Sequence, residues 1–352
     1  MINSPYIRNF KNYAAYANYV FAVPCYGENN MISLDDIATV LDDTFSQSLE
    51  KDLGVYFSRF KNCKTWFFSS DYCIGDKNKP NDVITFSIYP YLEDLHKLCD
   101  LVKSKLPCDI KKTREVGESG LTFLRENGFI FNISFIIVNK KFLFSCPNKC
   151  KADVVRECLT KTMQELNKDS ANADYVKSFQ RFYQKAKSNN FNVSLFENMY
   201  ITSFLAAYIS RILSVSANAS KLCWFGDRDA IMEYGGDIIR ITYDLNYWGL
   251  LRQKNYPLEK TEILGIGMQA KDKKELWYDE LVRISDYIAG TLASWDLNTN
   301  LVDKPKHGEM LENVFSDNSL LGIIRLNITE DGGIQASRIT VSKSSPDKVS
   351  QV

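Results

Sequence analysis

Histidine is nearly missing from this chain. Only His96 and His307 occur in 352 residues, and neither stands beside a recognisable nucleophile motif, so a Ser–His or Cys–His catalytic centre is not expected. An excess of charge of either sign is missing too: 43 Lys and Arg balance 43 Asp and Glu, for a formal net charge of +0. That excludes a globally basic scaffold attracting nucleic acid in bulk and leaves room only for a local patch. No phosphate loop, His-Glu-x-x-His helix or Gly-x-Ser-x-Gly elbow is found; Gly117-Glu-Ser-Gly120 fails the last spacing. A complete zinc set is wanting as well, since Cys146, Cys150 and Cys158 have no second close pair to join them. Nine cysteines, with no charged-then-apolar leader after Met1-Ile-Asn-Ser-Pro5, are expected as reduced thiols in a cytoplasmic protein. The apolar run around Tyr200–Ser210 falls short of the roughly 20 residues a membrane span needs, so a buried helix and no membrane partner are expected.

What the chain does have is apolar and aromatic content, 45% and 13%, enough to build a large core without disulfide or metal staples. Asn18–Cys25 reads as a buried strand ended by Tyr26-Gly27-Glu28, and Ser33 as the N-cap of a following helix. Thr65–Cys73 and Asp82–Tyr89 read as a hairpin, followed by a helix over Leu92–Lys105. Phe129–Val138 and Lys141–Phe144 read as a second strand pair. Residues 151–216, almost free of Gly and Pro, carry helical periodicity in three blocks: 151–168, 172–188 and 194–215. Strands are expected at Lys221–Phe225, Ile238–Tyr243 and Glu262–Ile266, then a strong helix over Leu276–Ser294. A short helix near 308–315 and a hairpin, Gly322–Ile328 with Ile334–Val341, close the chain.

The expectation is an α/β protein: residues 1–150 as the β-rich N-terminal part of the core, 151–220 as a helical insertion, 221–300 as the C-terminal part of the core, and 301–352 as an extension.

Gly265-Ile-Gly267-Met-Gln-Ala270 matches a dinucleotide fingerprint formally. It runs into Lys271-Asp-Lys-Lys-Glu275 instead of a helix, so a strand-end turn is the better reading. Lys140, Lys141, Lys149 and Lys151, interleaved with Phe142 and Phe144, form a candidate phosphate-contacting patch, which Lys111, Lys112, Arg114 and Arg228 would extend. A solvated charged face is the bland alternative.

The informative segment begins at Cys223-Trp-Phe-Gly-Asp227-Arg-Asp229, where a short apolar strand delivers two carboxylates at i and i+2, on one face if the backbone stays extended. On the later helix, Leu281, Ile284, Ile288, Leu292 and Trp295 form the apolar stripe, and Asp279, Arg283, Asp286 and Gly290 gather opposite. Two readings stand for Asp286: a salt bridge in which Arg283 spans two aspartates, or a cleft carboxylate. For Asp229 the plain reading is the N-cap of a helix at Ala230–Glu233.

Leu281-Val-Arg-Ile-Ser-Asp286-Tyr-Ile-Ala-Gly290 resembles the closing helix of a ribonuclease H-like family of largely uncharacterised microbial proteins. Members open with an Asp-Glu-Ser-Gly strand and close with an Ala-Asp-x-x-Ala-Gly helix; here Ser285 replaces the alanine before the aspartate. The resemblance implies a ribonuclease H-like mixed sheet with a helical insertion and C-terminal hairpin. It also implies a nuclease holding Mg²⁺ or Mn²⁺ between a strand-end carboxylate (Asp227 or Asp229) and the closing-helix Asp286, with nucleic acid as partner. The family's first strand supplies a further aspartate, whereas Asn18–Cys25 supplies none and Glu28 is the nearest acid. That departure leaves a second reading, an inactive binding or regulatory module joined to a protein partner in a microbial defence or mobile-element assembly.

Overall fold

The computed structural model describes residues 34–146, 148–234, 236–257, 261–267 and 276–343. The expected strand at 18–25, Glu28, the Ser33 cap and the segment 268–275 lie outside the described residues.

Two helices, α1 (Leu34–Ser48) and α2 (Glu50–Arg59), precede a long antiparallel hairpin of β1 (Thr65–Cys73) and β2 (Asp82–Pro90). Helices α3 (Leu95–Lys105) and α4 (Glu118–Glu126) lead to β3 (Phe131–Val138), antiparallel to β2. The three helical blocks follow as α5 (Lys151–Leu166), α6 (Ala173–Ala186) and α7 (Val193–Ser216). Next come β4 (Lys221–Gly226), the short α8 (Ala230–Glu233), α9 (Ile238–Gln253), β5 (Glu262–Gly267) and α10 (Asp279–Ser294). The small ribbon β6 (Trp295–Asp296) and β7 (Leu301–Val302), then α11 (Pro305–Met310), lead to the terminal hairpin β8 (Leu321–Ile328) and β9 (Ile334–Ile339).

Seven strands form one mixed sheet in the order β5-β4-β1-β2-β3-β8-β9. β4 runs parallel to both β1 and β5, and β8 parallel to β3. The architecture is therefore α/β, and its seven-stranded sheet draws strands from every segment except the helical one at 151–220.

The period-two alternation of strand side chains divides the core. Trp66, Phe68, Ile84, Phe86, Phe131 and Ile133 point to one face, which α1, α2, α5, α6, α7 and α9 cover. Phe67, Val83, Tyr89, Cys223 and Phe225 point to the other, under α3, α4, α10 and α11. By length and composition α7 is apolar enough to cross a bilayer. It is buried over nearly its whole surface, packed beside α9, and is the central helix of the first layer.

Two expected strands take other forms. Ile238–Tyr243 begins α9, because the apolar run continues to Leu251 and is buried on all sides, which suits sixteen residues of core helix better than an exposed-edge strand. Lys141–Phe144 is a tight turn: Lys140–Phe142 is 3₁₀, and Asn139 and Phe144 take positive φ values of 57° and 60°. β3 pairs instead with β2 and β8.

Candidate functional site

Parallel pairing of β1 with β4 runs from Thr65 opposite Lys221 to Ser70 opposite Gly226. One residue further, Asp71 and Asp227 come side by side, and the Asp227 N–H donates to the Ser70 carbonyl at 2.9 Å. Both follow Phe67, Ser69 and Cys223, Phe225 in the alternation, so both face α10. Gly226, the residue before Asp227, has little room for a side chain: a Cβ there would lie 2.7 Å from Met232 and 2.9 Å from the Tyr72 hydroxyl.

Small hydroxyls bring α10 close to the sheet at this level. Ser69 Oγ donates to the Leu281 carbonyl at 2.8 Å and lies 3.1 Å from Ser285 Oγ, which donates to Ser87 Oγ at 3.0 Å. The next residue along the helix is Asp286, which lines the same cavity as Asp71 and Asp227, a volume of about 980 Å³.

One turn on, Gly290 provides a seat for the segment 106–113. A Cβ at Gly290 would lie 2.8 Å from Ile110 Cγ2, and with glycine there the Ile110 N–H reaches Asp286 Oδ2 at 2.8 Å. The segment is clamped along its length. Arg283 donates to the Leu106 carbonyl at 2.7 Å and the Tyr287 hydroxyl to the Cys108 carbonyl at 2.9 Å. The buried Lys306 ammonium donates to the carbonyls of Ile110 and Thr113. The clamp carries Lys111 to the cavity, where it makes no ion pair among the described residues yet feels the charges of Asp71, Asp286 and Asp227.

Charge is what sets the site apart. Like charges sharing one partly buried cavity oppose each other's ionisation. Burial, then the charges of Asp286 and Asp227, hold the Asp71 carboxyl well above the usual carboxylate range, and no described donor hydrogen-bonds it. Burial pushes Asp286 up to about 6, against the Ile110 N–H bond. Lys111 is itself raised by the acids it faces, in spite of partial burial.

The structure thus brings together Asp227 and Asp286 of the expected site and adds Asp71, which the sequence reading passed over. The signal for it was Phe67-Phe-Ser-Ser-Asp71, an acid ending a run of small hydroxyls in an otherwise aromatic strand. Asp71 lies on β1, the first of the described strands.

Asp229 stands apart. The backbone turns after β4, with Asp229 N–H donating to the Asp227 carbonyl at 3.0 Å, so the i, i+2 pair does not share an extended face. Its carboxylate caps α8, accepting from the N–H groups of Ile231 and Met232 at 2.8 and 3.2 Å, and burial raises it to about 6. Arg228 lines the cavity and pairs with Asp279 at 2.6 Å. Arg283 bridges no aspartates: it serves the Leu106 carbonyl and lies 3.9 Å from Glu280.

The lysine patch divides. Lys111 and Lys112 line the cavity, and Lys103 joins them. Lys140 pairs with Asp82 and Asn198, Lys149 with Glu157 at 2.5 Å, and Lys151 with Glu197; none of these three is among the cavity residues. Lys141 lies over the Phe142 ring, and Phe144 is buried against Phe196 and Tyr200.

Three carboxylates are hard oxygen donors of the kind Mg²⁺ and Mn²⁺ take, and the donorless Asp71 carboxyl is a place such an ion would satisfy. Among the described residues no three Asp, Glu, His or Cys side chains converge on one point as they stand. Mg²⁺ does not require that, since it keeps several waters and binds through one or two carboxylates plus substrate phosphate.

Compared with family models, with curated proteins and with solved structures, the chain finds no match in any of the three.

Proposed function

We propose that this chain is a metal-dependent nuclease of ribonuclease H-like type, hydrolysing phosphodiesters of DNA or RNA. One observation carries the reading: Asp71, two residues before the end of β1, and Asp227, just past the end of β4, lie beside each other on adjacent parallel strands under α10, and Asp286 of that helix lines the same cavity. Those positions match the first-strand, post-insertion strand-end and closing-helix carboxylates that the resemblance calls for. Asp71, Asp227 and Asp286 would hold Mg²⁺ or Mn²⁺. When bound, the ion supplies an activated water and charge stabilisation for the departing oxygen.

The chain's own residues do the positioning. Ser69, Ser285 and Ser87 fix the height of α10 above the sheet. The Ile110 N–H holds Oδ2 of Asp286, whose side chain lines the cavity. Lys111 offsets the acids and would meet an incoming phosphate; Lys103, Lys112 and Arg228 also line the cavity but stand against Glu280, Asp109 and Asp279, so a bound cation would have to offset the acidic lining before a polyanion enters.

The test is cleavage of labelled DNA and RNA with added Mg²⁺ or Mn²⁺. Wild type is expected to cleave, and Asp71→Asn, Asp227→Asn and Asp286→Asn each to lose roughly a hundredfold or more. Equal cleavage by all four removes the assignment. One observation favours the binding-module reading instead: Lys111 already sits as a cation before the acids, which would let the pocket persist without metal. Strand binding with no cleavage under any metal is its signature.

A further inference from the structure

The cavity that holds the three aspartates has an aromatic at its mouth that the proposed hydrolysis does not use. Trp277 lines the cavity and is 37% exposed, the largest apolar side chain so placed among the described residues. It is held firmly: Phe225 packs edge-on at 5.2 Å, Tyr278 at 5.6 Å and His96 at 5.7 Å between ring centroids. The row continues inward, with Phe225 stacked on Phe67 at 5.7 Å, so the indole is braced on the sheet that carries Asp71 and Asp227. Lys103 and Arg228 line the same cavity, the first 4.0 Å from Glu280 and the second paired with Asp279.

The indole offers the largest apolar surface in the lining of this polar cavity. Beside cations and above a carboxylate centre, the complementary ligand is flat, aromatic and attached to phosphate. A duplex keeps its base faces stacked inside and cannot offer one to a side chain, whereas a single strand offers one per nucleotide. On the strength of the nuclease reading given above, we infer that Trp277 is a stacking platform for an unpaired nucleobase and that the site takes single-stranded polynucleotide in preference to duplex. The phosphate beside the stacked base lies toward Lys111 and the three aspartates.

The test uses the full chain carrying Asp227→Asn, which keeps the strand intact, and fluorescence anisotropy of end-labelled oligomers of about 12 nucleotides, a length one protein groove can span. Oligo-dT, oligo-rU and a DNA duplex of equal length are compared in Mg²⁺ and in EDTA. The two single strands separate DNA from RNA as the ligand, and tighter binding of either one than of duplex is expected. Trp277→Ala in that background should weaken single-strand binding about fivefold to a hundredfold, the range that loss of one stacked base gives. Trp277→Phe should recover most of it, and duplex binding should not move. The Phe variant keeps the test meaningful if the Ala variant folds poorly.

Equal binding of duplex and single strand, no binding of any strand, or no change in Trp277→Ala overturns the platform, even if wild type cleaves. Single-strand binding that depends on Trp277, with no cleavage by wild type in any metal, keeps the platform and removes the nuclease.

Discussion

Asp71 and Asp227 stand side by side one residue past the last register pair of two parallel strands, Ser70 and Gly226, with the Asp227 N–H bonded to the Ser70 carbonyl. That bond ties the Asp227 backbone to β1 beside Asp71. A fold that holds two acids together under a helix bearing a third opposes itself electrostatically unless a cation intervenes. Lys111 is that cation in the chain itself.

Removing one of the charges should therefore stabilise the metal-free protein while abolishing its chemistry. Asp71→Asn keeps the shape and deletes the most deeply buried acid of the three. Its melting temperature in EDTA near neutral pH should exceed that of wild type, and the gain wild type shows on adding Mn²⁺ should vanish. A melting temperature below wild type in EDTA would show that Asp71 is a structural carboxylate with a partner of its own.

Linkage gives the pH dependence. Asp286 is raised to about 6 from about 3.9 in an unfolded chain, so its protonated form is the one the fold prefers. The stability tied to that preference is complete below about pH 4 and lost as pH rises through about 6. The difference in unfolding free energy between wild type and Asp286→Asn should accordingly widen in the variant's favour over that window. Mn²⁺ competes with those protons, so wild type should gain more from it at about pH 7.5 than at about pH 5. A metal gain independent of pH would contradict the assignment.

Gly290→Ala should act at a distance. The added methyl meets Ile110 Cγ2, and overpacking of this kind costs about 1–3 kcal/mol. The segment 106–113 must lift, which breaks the Ile110 bond to Asp286 and withdraws Lys111. Thermal melts and Mn²⁺ titration should both worsen, and adding Ile110→Ala should recover part of the melt by clearing the methyl. Unchanged metal affinity in the single variant would mean the segment does not position the site.

Lys111→Met separates counter-charge from ligand. With the competing cation gone, Mn²⁺ affinity should rise by roughly threefold or more, while the metal-free protein melts lower near neutral pH. Cleavage should fall, because the phosphate loses its partner. Weaker Mn²⁺ binding in this variant would contradict the role given to Lys111.

Much of this arrangement was legible before any coordinates. The hairpin Thr65–Cys73 with Asp82–Tyr89, the three helical blocks and the strong helix over Leu276–Ser294 carry patterns long enough to identify themselves, and their observed ends lie within a few residues. Asp227 and Asp286 could be singled out because each interrupts an apolar element. Asp71 escaped because its strand reads as an ordinary buried hairpin, and only the crossover that lays β4 against β1 gives it a neighbour. Ile238–Tyr243 misled through its β-branched residues, which a helix buried on every side tolerates. The segment 106–113 has no periodicity of its own. Gly290, Arg283, Tyr287 and Lys306 shape it, all remote in sequence.

The most direct test of the account is a crystal of the wild-type chain soaked in Mn²⁺ and measured at the manganese absorption edge. An anomalous peak is expected in the cavity within about 2.6 Å of carboxylate oxygens from at least two of Asp71, Asp227 and Asp286, lost in Asp71→Asn. A soaked crystal with an open cavity and no peak beside those oxygens, or an unchanged peak in Asp71→Asn, would contradict it.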